Sequence, residues 1–177
     1  MRRPTASWNV TWIILWIAST VGPAPRAAYG ALGQTAPELA VQEWVRGEPT
    51  SLNDLKGKVV LLDIFQIICP GCHRAHPEIV RMRERYAERG FAVLGLAVSF
   101  ELEVFQTPAH IRDYVRREEY PYPVALDQGL IDTFRRYRSR GTAFSVLIDR
   151  RERIRYLEFF RLDRVESLVQ RWVDEEA

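Results

Sequence analysis

The chain's only two cysteines stand three residues apart in Cys69-Pro70-Gly71-Cys72, directly after the apolar run Val59-Val60-Leu61-Leu62-Asp63-Ile64-Phe65. A buried strand that runs into a helix at such a pair puts the first sulfur at a helix N-terminus. Unpaired backbone N–H groups and the macrodipole there favour thiolate over thiol. The thiolate is the attacking species in disulfide exchange, and the second sulfur is near enough to resolve a mixed disulfide within the molecule. A purely structural disulfide is a poor alternative, because so small a loop restricts the unfolded chain little. His73 also completes Cys-x-x-Cys-His, the attachment signature of c-type haem, with Met82, His76 and His110 as candidate axial ligands. Met82 and His76 fall on the predicted helix that carries His73 and reach the opposite haem face poorly; His110 stays open. The apolar strand entering the motif favours dithiol chemistry, leaving the haem protein as one alternative and a copper-binding thiol chaperone as another.

Residues 1–30 have the pattern of an export signal: Arg2 and Arg3, an apolar stretch from Val10 to Val21, and small residues ending at Ala28-Tyr29-Gly30. That apolar core is short for a bilayer span, which needs about 20 residues. Cleavage after Gly30 is therefore favoured, with a domain over residues 31–177 in a periplasmic or secreted setting; left uncleaved, the segment would be an N-terminal membrane anchor. Losing Arg2, Arg3 and Arg26 leaves 22 basic against 23 acidic residues, a formal charge of about −1 where the full chain has +2. The basic excess belongs to the leader and gives no argument for nucleic acid. An oxidising compartment normally selects stapling disulfides, and the lone local pair reads instead as a working one.

After the signal, hydrophobic periodicity and turn residues predict short elements at Leu39–Val45 and Ser51–Leu55, then a central strand at Val59–Phe65. A helix from Cys72 to Arg89 stops at Gly90, and a strand spans Phe91–Phe100. Thr107-Pro108 starts a helix to Glu119; Pro121–Leu126 and a short helix across Ile131–Arg138 follow. A strand pair, Phe144–Ile148 with Ile154–Phe160, precedes a closing helix over Asp163–Glu175 with Asp163 as N-cap. This order is α/β, with a central mixed β-sheet and helices on both faces. The arginines at 135, 136, 138 and 140 read as a solvated helix face, and the three histidines show no metal-ligand spacing.

Over nearly the whole mature chain these residues resemble the thioredoxin superfamily, specifically its exported TlpA-like thiol-disulfide oxidoreductases. The matching pieces are Leu52 with Gly57-Lys58-Val59-Val60-Leu61, the Cys69 and Cys72 pair, Pro77, Tyr122-Pro123-Val124 before Asp127, and Gly141-Thr142 followed by Val146-Leu147-Ile148-Asp149. The resemblance implies a thioredoxin-like fold, no resident cofactor, protein or small-molecule disulfide substrates, and a membrane-embedded thiol electron donor. It implies that Cys69 attacks, Cys72 resolves and Asp63, six residues before Cys69, accepts the Cys72 proton. Its apolar neighbours independently favour a buried Asp63, whose pKa would be raised by desolvation. Pro70, Thr142 and Ala143 take the substrate-contacting positions.

The chain departs from the family pattern in three respects. Ala143 stands where the family has a cis-proline; since a cis bond costs about 2.5–4 kcal/mol before a non-proline residue, Thr142-Ala143 is expected to be trans and its loop to approach the disulfide differently. Phe65 and Ile68 replace common tryptophans, and Ala75 replaces the early helix glutamate of the cytochrome c maturation branch. A peroxiredoxin would need threonine at Gln66 and an arginine near Ala143, so peroxide reduction is not expected. His73 is either a tuning charge beside Cys69 or a solvated first-turn residue, while His76 and His110 read as surface or packing residues.

Overall fold

The computed structural model describes residues 29–100 and 106–175, so most of the expected export segment lies outside the described residues. Six strands and four helices follow in the order β1 Val41–Arg46, β2 Val59–Phe65, α1 Pro70–Tyr86, β3 Phe91–Ala97, α2 Pro108–Arg117, β4 Val124–Asp127, α3 Asp132–Arg136, β5 Phe144–Ile148, β6 Ile154–Phe159 and α4 Leu162–Asp174. The strands form one sheet in the order β1-β4-β3-β2-β5-β6. Its centre, β2-β3-β4, is parallel, while β1, β5 and β6 pair antiparallel to their neighbours. The expected mixed sheet is therefore present, with β2 at its heart and buried along its whole length.

Both faces of β2 are covered, which is why it reads as a continuous apolar run rather than an alternating one. Its odd positions, Val59, Leu61 and Phe65, join Ile79 and Met82 of α1, Ile111 and Val115 of α2, and Val165 and Val169 of α4. Its even positions, Val60, Leu62 and Ile64, face Leu52, Leu55 and Tyr137, with Phe134 of α3 packed alongside. Asp63 belongs to the odd face by the two-residue period of a strand. Its register partners are Gly95 on β3 and Ser145 on β5.

The chain enters α1 at Cys69, the N-cap, with Pro70 in the first turn. The helix continues through Pro77 to Tyr86, a 3₁₀ turn covers Ala87–Arg89, and Gly90 ends it at φ 81°. Thr107 caps α2 as expected, its side chain accepting from the His110 N–H. Asp163 does not cap α4: Arg161 holds the N-cap position without a side-chain bond, and Asp163 sits in the first turn, ion-paired to Arg161. The chain's entry angle from β6 sets the helix start two residues earlier than composition implies, and a first-turn carboxylate still suits the helix dipole.

Arg150, after β5, ties the lower end of this framework together. Its guanidinium donates to the carbonyls of Gly57 at 2.7 Å, Arg89 at 2.9 Å, Val173 at 3.2 Å and Trp172 at 3.3 Å. It thus satisfies chain ends before β2, after α1 and at the end of α4, using the planar fork that lysine lacks. Arg150→Lys should lower stability by about 1–2 kcal/mol, seen as a lower denaturation midpoint with an unchanged slope.

Candidate active site

Cys69 and Cys72 are both free thiols, the first half-buried and the second buried. The Cys72 N–H donates to the Cys69 sulfur at 3.1 Å, and the Cys69 carbonyl accepts from Cys72 and His73. Partial burial alone would push the Cys69 thiol up. Hydrogen bonds from the Cys72 thiol, the Thr142 side chain and the backbone N–H groups of Cys72 and Gly71 outweigh it and bring Cys69 below the ordinary cysteine range. Pro70 therefore contributes no donor of its own, and the two residues after it supply them. Cys72 moves the opposite way. Burial raises it most, the neighbouring Cys69 and the Asp63 charge raise it further, and a bond from the Gln66 backbone only partly opposes them.

One turn of helix thus holds two chemically unlike thiols, an accessible sulfur disposed to ionise and a buried one disposed to keep its proton. Beneath them Asp63 is 3% exposed. Burial pushes its carboxyl up to about 7 against the opposing hydrogen bond from Tyr122. Tyr122 reaches it because Gly95, its neighbour in the sheet, has no side chain: a β-carbon there would meet the Tyr122 ring at 3.3 Å and Val124 at 3.0 Å. The Tyr122 hydroxyl lies 3.5 Å from Asp63 Oδ2 and 3.1 Å from His76 Nδ1. His76 is stacked on Tyr120 with 3.9 Å between ring centroids, and Phe65 stacks on the same tyrosine at 5.2 Å.

The expected trans bond at Thr142-Ala143 is corrected: this peptide is cis. That expectation rested on local peptide preference, whereas the segment is held by tertiary contacts on each side. The Ala143 carbonyl accepts from Phe160 N at 2.9 Å, Phe144 enters β5 opposite Ile64, and Thr142 Oγ1 lies 3.1 Å from Gln66 Oε1. The Thr142–Ala143 loop is near the cysteine pair. It lies against the Cys69–Cys72 turn, since a β-carbon on Gly71 would be 3.9 Å from Ala143 N and 3.6 Å from the Cys69 sulfur. The Thr142 hydroxyl faces both Cys69 and Gln66, whose amide oxygen accepts from it at 3.1 Å.

A groove of about 470 Å³ runs beside the pair, between Arg74 and Glu78 of α1, Thr142 and Ala143, and Phe159, Phe160 and Leu162. Ile68, next to Cys69, is 52% exposed at the rim. The structure thus gathers Cys69, Cys72, Asp63, Pro70, Thr142 and Ala143 as expected. It does not gather the candidate haem ligands. His73 Nε2 is 2.8 Å from the Ile67 carbonyl, Met82 is buried in the core, and His110 is exposed on α2. His76, read as a surface or packing residue, is more than that, because its ring nitrogen joins the Tyr122 hydroxyl. A glycine inside a buried strand is a signal of close approach, and Gly95 could have pointed to Tyr122. Nothing in the sequence pointed to Phe159 and Phe160, which arrive from a hairpin strand far along the chain.

The redoxin family profile matches residues 31–167. The chain belongs to the redoxin family. It is 32% identical over 129 residues to Protein DipZ of Mycobacterium bovis, covering 71% of this chain and 18% of that protein. It is 28% identical over 98 residues to the thiol-disulfide oxidoreductase ResA of Bacillus cereus, covering 55% of this chain and 53% of ResA. The chain therefore spans less than a fifth of DipZ and about half of ResA. A solved thiol-disulfide isomerase from Corynebacterium glutamicum superposes with a TM-score of 0.72 at 33% identity, covering 79% of this chain and 97% of that one. The fold is thioredoxin-like.

The raised Asp63 pKa makes stability depend on pH. The folded protein holds a proton that the unfolded chain releases near the ordinary aspartate value of 3.8, so stability falls as pH rises from about 4 through about 7. Asp63→Asn removes that slope. The variant should gain on the parent by up to about 4 kcal/mol above pH 7 and lose the advantage below about pH 4, as denaturation midpoints across pH would show.

Proposed function

We propose that the chain is exported and reduces disulfides of proteins or small thiols outside the cytoplasm, by way of the Cys69–Cys72 dithiol. The opposed acidities of the two thiols carry this reading. The Cys69 thiolate attacks a substrate disulfide, forming a Cys69–substrate mixed disulfide and releasing one substrate sulfur as thiolate. Asp63 takes the proton from Cys72, whose sulfur then attacks Cys69 and expels the second substrate sulfur. The substrate gains two electrons and the dithiol becomes an internal disulfide. Burial gives the Cys72 thiolate little stabilisation, so once formed it closes on Cys69 readily, which favours the reductive direction.

Substrates meet the sulfur through the Thr142–Ala143 loop and the groove bounded by Phe159 and Phe160, where an extended chain can lie beside Cys69. The charged and apolar termini of residues 1–30 support export, and among the described residues no helix is long and apolar enough to cross a membrane. A reductase in an oxidising compartment needs electrons from elsewhere, which makes a membrane-embedded thiol donor its expected partner. No nucleic acid has a part in this scheme.

The division of labour between the sulfurs is directly testable in the exported fraction. Cys72→Ser should accumulate mixed disulfides that reducing agent releases, and Cys69→Ser should trap almost none, read by non-reducing electrophoresis and intact mass. Equal trapping by the two variants would contradict the assignment.

A further inference from the structure

Asp63 can accept a proton in each turnover only if that proton can leave again. Its carboxylate is buried beneath the helix, with Cys72 from α1 and Tyr120 and Tyr122 from the segment before β4 acting on it. The hydrogen bond the structure gives its side chain is with the Tyr122 hydroxyl, which is also the partner of His76 Nδ1. His76 is half-buried on the second turn of α1, and its ring is also bonded to the backbone of Glu118 at the end of α2. A continuous row of three polar groups therefore leads from the buried carboxylate to the edge of the protein.

We propose that Tyr122 and His76 are positioning residues that return the Asp63 proton to solvent. The proposal rests on Asp63 being the base for Cys72. The hydroxyl of Tyr122 has one proton and two acceptors. When that proton points to His76, 3.1 Å away, the phenol oxygen presents a lone pair toward Asp63. That is the arrangement a protonated Asp63 requires. The Cys72 S–H bond breaks as an Asp63 O–H bond forms. Asp63 then passes its proton to the Tyr122 oxygen while the Tyr122 proton moves to His76 Nδ1, and the imidazolium releases a proton to water. No electrons move in these steps, and Asp63 ends ionised for the next cycle.

The environment of His76 suits the role. Burial pulls its pKa down most, the Glu118 charge and carbonyl oppose, and His73 adds a further lowering. A neutral ring bonded to the Glu118 carbonyl leaves Nδ1 free to accept, so the relay operates above the depressed His76 pKa and fails as pH falls through it. The stack on Tyr120 holds the ring in place. A pair that served only to fill space would not need two polar atoms facing each other beneath the active helix.

The reduced full chain is held at about pH 5, where Asp63 carries a proton, and brought just above neutral pH as it is mixed with a limiting amount of a thionitrobenzoate disulfide; Cys69 attack releases one coloured thiolate, and resolution by Cys72, for which Asp63 must first lose that proton, releases a second. Tyr122→Phe and His76→Gln should each slow the second release on the order of tenfold near neutral pH, a part of what general base catalysis supplies. Both should leave the first release unchanged, whereas structural damage would slow the two together. Combining Tyr122→Phe with Asp63→Asn should add nothing to the loss from Asp63→Asn alone. If Asp63→Asn slows resolution while Tyr122→Phe and His76→Gln do not, the relay is wrong and the base assignment stands. If Asp63→Asn has no effect, the base assignment falls and the relay with it. Should Tyr122→Phe fail to fold, His76→Gln decides the matter alone.

Discussion

A carboxylate inside the longest fully buried strand of the sheet is the constraint around which this structure is arranged. Six of the seven residues of β2 are apolar, and every one is buried. An ionised Asp63 there is costly, and the protein offers it one long hydrogen bond rather than a cation. Its pKa accordingly rises into the range where it exchanges protons near neutrality. A well-paired carboxylate would stabilise the fold and be useless as a base. The strand that organises the core thus contains a destabilised group, and its position beneath Cys72 gives that destabilisation a chemical use.

The same physics separates the two sulfurs. Helix N-termini favour anions, yet only Cys69 benefits, because the free N–H groups of Gly71 and Cys72 point back at the capping residue. Cys72 is already inside the first turn and under the sheet, so burial dominates it. Three residues of spacing at a helix start are sufficient to make one thiol a nucleophile and the other a proton reservoir. The Cys72 proton also steadies the Cys69 thiolate, which couples the two titrations.

Much of this was legible in the sequence, for reasons that differ by element. The apolar β2, the cysteine pair, Gly90 as helix stop and Thr107 as cap are local signals, and the structure keeps each of them. Asp63 was legible because a lone acid in a buried run is conspicuous. The failures share a different cause. The Thr142-Ala143 segment and the contact of His76 involve residues distant in sequence, Phe160 for the first and Tyr122 for the second, while the α4 cap turns on the residues that link that helix to β6. A peptide preference or a composition rule carries no information about those neighbours.

The late elements of the chain complete a site that its middle begins. Residues 59–72 supply both sulfurs and the buried carboxylate, while most of the groove beside them is lined by residues later in the chain. Antiparallel pairing of β5 on β2 brings Thr142 and Ala143 to the same end of the sheet as Cys69, because β5 begins opposite the C-terminal end of β2. β6 then pairs with β5, so that it ends beside the start of that strand, and this places Phe159 opposite Phe144 and delivers Phe160 to the groove. Arg150 anchors the opposite end of the sheet by binding carbonyls from the segment before β2 and from the end of α4. Sheet register therefore fixes the distance between the Thr142–Ala143 loop and Cys69.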